Sequence, residues 1–112
     1  MENLGVVAPP AGFTPRDGEV VHAHGAAHGS DPERGLDLGK GTLLVTSQGI
    51  VYFTGAKRWR FAWRGIEQFQ LEPISILHIE TRSGRHFVFR AASAPEAEAM
   101  QLAAMAIMAL RD

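Results

Sequence analysis

The chain has 112 residues, 11 lysines and arginines against 12 aspartates and glutamates, a formal charge of −1 and no cysteine. That length suits one domain with a single modest core and excludes two, and the lack of cysteine excludes a disulfide framework and thiolate metal centres. No apolar run approaches the roughly 18 residues that a membrane-spanning helix needs, and Glu2 stands where a secretion signal would carry basic residues, so the expectation is a soluble cytoplasmic protein.

Charge is segregated along the chain. Residues 1–37 hold six acids and two bases, whereas residues 38–66 hold five bases and no acid. Arg82, Arg85 and Arg90 fall in a second acid-free stretch, 81–95. A basic end or face is therefore expected, to be weighed against ordinary alternation of solvated faces.

Residues 1–17 carry Pro9, Pro10 and Pro15 with Gly5 and Gly12, which disfavours helix and sheet interiors. A flexible arm over 1–17 and a single domain over 18–112 are expected. Glu19 to Gly25 reads as a first strand, with Val21 and Ala23 facing one way and Val20, His22 and His24 the other. Gly29 to Gly41, rich in glycine with Asp31, Pro32 and Asp37, reads as a long loop. Leu43, Leu44 and Val45 then run into Ser47, Gln48 and Gly49 before Ile50, Val51, Tyr52 and Phe53, the pattern of a hairpin with glycine at its turn. Thr54, Gly55 and Ala56 make a second turn.

From Lys57 to Arg64, strand alternation puts Trp59, Phe61 and Trp63 on one face and Arg58, Arg60 and Arg64 on the other. The aromatic face is the only strong apolar one here and is expected in the core, leaving Arg60 and Arg64 as ordinary solvated face. Gly65 ends this strand. Ile66 to Leu71 sets Phe69 and Leu71 opposite Gln68 and Gln70, and Pro73 stops it. Ile74 to Thr81 is β-rich, Ser83 and Gly84 supply a turn, and His86 to Arg90 aligns Phe87 with Phe89. Seven short strands joined mostly by tight turns predict a mainly β fold, an antiparallel meander that must curl or close to bury its apolar face.

One helix follows. Ser93 suits its N-cap and Pro95 its first turn, Glu96 and Glu98 complement the positive end of its dipole, and Arg111 complements the negative end. With successive residues about 100° apart, Met100, Ala103, Ile107 and Leu110 form a stripe suited to docking on the sheet. Leu102, Met105 and Ala109 form a second stripe roughly opposite, with Met108 between the two, where a surface helix should be polar. These four are interface candidates: a second copy, giving a homo-oligomer, or a partner protein would cover them, and the plainer alternative is that the arm Met1 to Pro15 folds back over them.

The order of strands then one C-terminal helix, with Gly41-Thr42-Leu43-Leu44-Val45-Thr46 followed by Gly49-Ile50-Val51-Tyr52-Phe53, resembles the pleckstrin-homology superfold. It is most similar to the GRAM-like and bacterial PH-like branches, where a G-x-L-x-x-T strand leads into an I-x-F strand. Thr81, Gly84 and Phe87 look like the strand, turn and Phe strand that precede the helix in those domains. The likeness runs from about Asp17 to Arg111, and it departs from many such domains in having no Trp between Glu96 and Asp112. It implies a seven-stranded, partly open barrel or curled sheet capped by the helix. Phosphoinositide-binding members use the loops after the first, third and sixth strands. The resemblance therefore assigns Arg34 and Lys40, Lys57 and Arg58, and Arg82 and Arg85 as candidates for an anionic headgroup at a membrane surface, with Asp31, Glu33 and Asp37 diluting the first loop.

Other chemistry is weighed against plainer readings. His22 and His24, two apart in a strand, have a spacing that metal sites use, with His28, Asp31 or Glu33 near enough for a third ligand. Two histidines on an exposed strand face are usually polar surface, and no metal or other cofactor is assigned. Ser30 with Asp31, and Ser47 with His78, come with no strained elbow or oxyanion loop, so no catalytic residue and no small-molecule substrate is assigned. Arginines among aromatics suit base stacking, but with Trp59, Phe61 and Trp63 in the core only the arginines are free, which argues against nucleic acid. The expected function is a non-catalytic binding or assembly module that acts through protein contact or self-association. Peripheral binding of anionic lipid is the alternative.

Overall fold

The structure, a computed structural model, describes residues 5–72 and 75–111. Seven strands, β1 Val21–Asp31, β2 Leu36–Thr46, β3 Gly49–Phe53, β4 Arg58–Ala62, β5 Ile66–Glu72, β6 Ile76–Thr81 and β7 His86–Ala91, precede one helix, α1 Ala94–Arg111. Every pairing is antiparallel, in the order β4-β3-β2-β1-β7-β6-β5. Two meanders thus meet through a β1–β7 pair, and β4 and β5 are left as the edges. The sheet curls into a half-barrel, the expected class, and α1 lies in its concave side. The concave core includes Leu43, Tyr52, Ile79, Phe87 and Phe89, covered by Ala97, Met100, Ala103, Ala104 and Ile107 of the helix. Each large side chain fully buried there contributes about 1.5–3 kcal/mol relative to exposure. Among the described residues no helix is long and apolar enough to cross a membrane.

The stretch expected as a loop over Gly29 to Gly41 is instead mostly strand, since β1 runs on to Asp31 and β2 starts at Leu36. Gly35 and Gly39 take positive φ in open space, but Gly29 and Gly41 answer to close neighbours rather than to a turn. A Cβ on Gly29 would come within 2.9 Å of the Phe89 ring, and one on Gly41 within 2.2 Å of the Phe53 carbonyl oxygen. With Ala23 and Ala27 also small, the inner face of β1 leaves room for α1 and the aromatic rings to approach.

A β-bulge at His22 corrects the facing of the first strand. Val21 pairs with Thr46 but Ala23 pairs with Val45, so one extra residue in β1 turns Val21 and Ala23 to opposite sides. Val21 joins Phe13, Leu44 and Val51 in a second, convex cluster, against which Phe53 packs. Phe13 belongs to the segment expected as an arm, yet it is buried, and its ring lies 6.1 Å from that of Phe53. The Val7 N–H donates to the Val21 carbonyl at 2.8 Å.

Trp63, expected in the fourth strand, lies in a short 3-10 turn, Trp63–Gly65, and is still buried, its Nε1–H donating to the Thr46 carbonyl at 3.0 Å. Trp59 and Phe61 are half-buried on the concave side. Ser93 caps the helix, its Oγ accepting the Glu96 N–H at 3.4 Å. Met100, Ala103 and Ile107 dock as expected, but Leu110 is exposed, because the last turn of α1 carries it clear of the sheet. The expected stop at Pro73 and the Arg111 side chain lie outside the described residues, as do residues 1–4, 74 and 112.

Candidate functional site

Three surfaces carry polar or exposed groups worth weighing. The first is the basic end. Strand directions put the turn at 32–35, the loop at 54–57 and the turn at 82–85 at one end of the half-barrel. A direct contact joins the first and third of these. Arg85 Nη2 donates to Asp31 Oδ2 at 2.8 Å, and Arg34 approaches the same oxygen at 3.9 Å while its backbone N–H reaches Oδ1 at 3.4 Å. Asp31 is only 1% exposed, and the Arg85 hydrogen bond, against the opposing effect of burial, holds its carboxyl below the usual carboxylate range. Arg85 also lies over the Phe87 ring, 4.7 Å from its centroid.

The other cations are mostly occupied as well. Arg82 donates to the Arg64 carbonyl at 2.7 Å and to Glu67 at 3.1 Å. Arg58 sits 5.6 Å above the Phe13 ring on the convex side. Among the described residues only Lys40 and Lys57 of the six candidates have neither an acidic partner nor an aromatic one. Asp37, expected to dilute this loop, pairs with His28 at 2.6 Å, and it is held below its ordinary range first by the Gly39 N–H and then by His28.

Arg60 is not the solvated side chain expected. Its two terminal nitrogens donate to the two oxygens of Glu19 at 3.0 Å each, and its guanidinium lies 5.7 Å from the Phe13 ring centroid. The Arg16 N–H and the Thr46 hydroxyl complete the cradle at 2.9 and 2.7 Å. Burial alone pushes the Glu19 carboxyl up, but these donors outweigh it and bring it to about 2. The sequence signal was faint, one acid just before the first strand and an arginine 41 positions later.

The second surface is a groove of about 220 Å³ on the convex side of β5, β6 and β7, lined by Gln68, Gln70, Glu72, His78, Glu80 and His86. His78 Nε2 lies 2.7 Å from Glu72, and His78 Nδ1 lies 2.9 Å from His86 Nε2. The ring centres are 5.1 Å apart with planes only 21° from parallel, so the two nitrogens meet edge to edge. With His78 Nε2–H given to Glu72, Nδ1 accepts the His86 Nε2–H; lone pairs aimed along one line make a proton link, not a pair of ligands converging on a metal. Among the described residues no three His, Asp or Glu side chains are placed to hold a metal ion. His22 is held by the Gly5 carbonyl at 2.6 Å, and Ser47, considered above with His78, accepts the Val20 N–H at 3.0 Å.

The third surface is apolar. Leu102 is 70% exposed and Met105 54% exposed on the outer stripe of α1, with Ala109 exposed in line and Met108 half-buried against the core. Met105, Met108 and Ala109 face Gln68, Phe69 and Gln70 across an open groove of about 330 Å³. That groove runs beside the free edge of β5. The sequence identified the helix residues, but not the strand edge they flank.

No protein-family model matches the chain, and no curated protein matches it. The arrangement of its own side chains therefore carries the functional reading.

Proposed function

We propose that this chain is a non-catalytic assembly module of the pleckstrin-homology-like superfold, closest to its GRAM-like and bacterial PH-like branches, that acts in the cytoplasm through protein contact and foremost through self-association. The strand order, the single helix seated in the concave side and the position of its G-x-L-x-x-T strand support the superfold reading. The observation that carries the function is the exposed stripe of Leu102 and Met105 beside the groove formed with Met108 and Ala109. Large apolar side chains grouped along one helix face beside a groove mark interaction sites, whereas scattered ones do not. The alternative, peripheral binding of anionic headgroups, is weakened by the ion pairs that Arg34, Arg82 and Arg85 already make within the chain.

Multi-angle light scattering tests the proposal. The expected result is a mass above the 12.2 kDa of one chain that falls to one chain in the double variant Leu102→Glu, Met105→Glu with its helix signal unchanged. An oligomer that survives both substitutions removes this stripe from the interface.

A further inference from the structure

We infer that the free edge of β5 pairs antiparallel with β5 of a second copy of this chain, about a two-fold axis passing through Gln70; this rests on the self-association reading and gives it a geometry. The two sheet edges are unlike. β4 carries Arg58 and Arg60 next to Lys57, the kind of charge that guards an edge against strand addition. β5 carries neither lysine, arginine nor proline along its length. Its bulge at Glu67, between the Ile66–Thr81 and Gln68–Glu80 pairs, leaves Gln68–Glu72 as a regular run that, among the described residues, is paired to β6 on one side only. The backbone donors and acceptors on the other side seek an extended partner.

The side chains of this run are complementary to themselves. Antiparallel pairing about Gln70 sets Gln70 against Gln70, Phe69 against Leu71 and Gln68 against Glu72. Apolar residues meet on the concave face, amides meet an amide or a carboxylate on the convex face, and no carboxylate faces another. Opposed pairs of these kinds stabilise a sheet, whereas like charges directly opposite would destabilise it. The groove with Met105, Met108 and Ala109 runs along the same edge, so the partner's Phe69 and Leu71 would arrive beside these three residues of α1. An isologous contact of this sort closes on itself and covers the edge and the groove together.

Because the chain has no cysteine, Gln70→Cys is a single-cysteine probe at the proposed axis. Directly opposite residues have Cα atoms about 4.5–5.5 Å apart, within disulfide reach. Under a mild oxidant Gln70→Cys is expected to convert to a covalent dimer on non-reducing gels, while Gly55→Cys in the 54–57 loop does not. Light scattering is expected to give twice the chain mass of 12.2 kDa for the unmodified chain, and one chain mass for Gln70→Arg with its far-UV circular dichroism spectrum retained. Two results overturn the inference, and they differ. A mass of one chain at several hundred micromolar removes self-association itself and leaves the edge to an extended segment of another protein. A stable dimer in which Gln70→Cys cross-links no faster than Gly55→Cys, and which Gln70→Arg does not dissociate, removes the β5 edge and leaves self-association standing.

Discussion

Glu19→Gln removes a charge from a cradle that the fold builds around it, and the structure sets both the size and the pH range of the effect. Glu19 has its ordinary value of 4.5 lowered to about 2 when its two oxygens receive Arg60, Arg16 and Thr46. At about 1.4 kcal/mol for each tenfold change in proton affinity, that is about 3 kcal/mol at most. Arg60 keeps 19% of its side chain in water, and screening there brings the expected figure to about 2 kcal/mol. The direction follows from proton binding: between pH 4.5 and 2 the unfolded chain holds more protons than the folded one, so this contribution is complete above pH 4.5 and is lost as pH falls toward 2. Urea unfolding followed by the fluorescence of Trp59 and Trp63 is expected to show the variant about 2 kcal/mol less stable at pH 7, roughly 8–16 °C in Tm for a domain of this size. The gap should close through the acid range. Asp31 and Asp37, also held low, titrate in both proteins, so the difference between the curves reports Glu19. A gap that is absent at pH 7, or that is undiminished at the acid end, would refute the reasoning.

Three further outcomes are expected. Tyr52→Phe leaves the buried Gly29 N–H without the hydroxyl that accepts it at 3.1 Å and removes the donor to the Gly39 carbonyl, for a loss of about 1–3 kcal/mol in chemical denaturation. Gly41→Ala drives a Cβ toward the Phe53 carbonyl oxygen, whereas Gly55→Ala enters open space; thermal melts should show the first destabilised by more than about 2 kcal/mol and the second within about 0.5 kcal/mol of the parent. Vesicles rich in phosphatidylserine should co-sediment little more of the chain than neutral vesicles at physiological salt, because three of the six candidate cations are spent on Asp31 and Glu67. Strong binding that raised salt abolishes would restore the lipid reading.

Much of the architecture was legible because it rests on local pattern. The turn at Ser47 and Gln48, the Phe87 and Phe89 strand and the Ser93 cap each write their cause into neighbouring residues. What was not legible depends on partners far along the chain. Glycine in Gly29 and Gly41 is the same letter whether it makes a turn or admits a ring from residue 89 or a carbonyl from residue 53. Arg60 alternates with Trp59 and Phe61 as a solvent-facing residue should, and nothing local shows that Phe13 and Glu19 come back over it. The candidate site divides the same way. Leu102 and Met105 stand out on a helical wheel, but an unpaired strand edge is a property of the sheet order, which only the assembled fold displays.

The extra residue at His22 sets how this chain tolerates insertions and deletions. Val21 before it belongs to the convex cluster and Ala23 after it to the concave core, so both layers fix the count of residues at this point. Removing one residue at this point would send Val21 toward the helix and carry Glu19 away from Arg60, reversing two layers without altering the composition of either. Related sequences are therefore expected to keep the spacing between Glu19 and Ala23 constant.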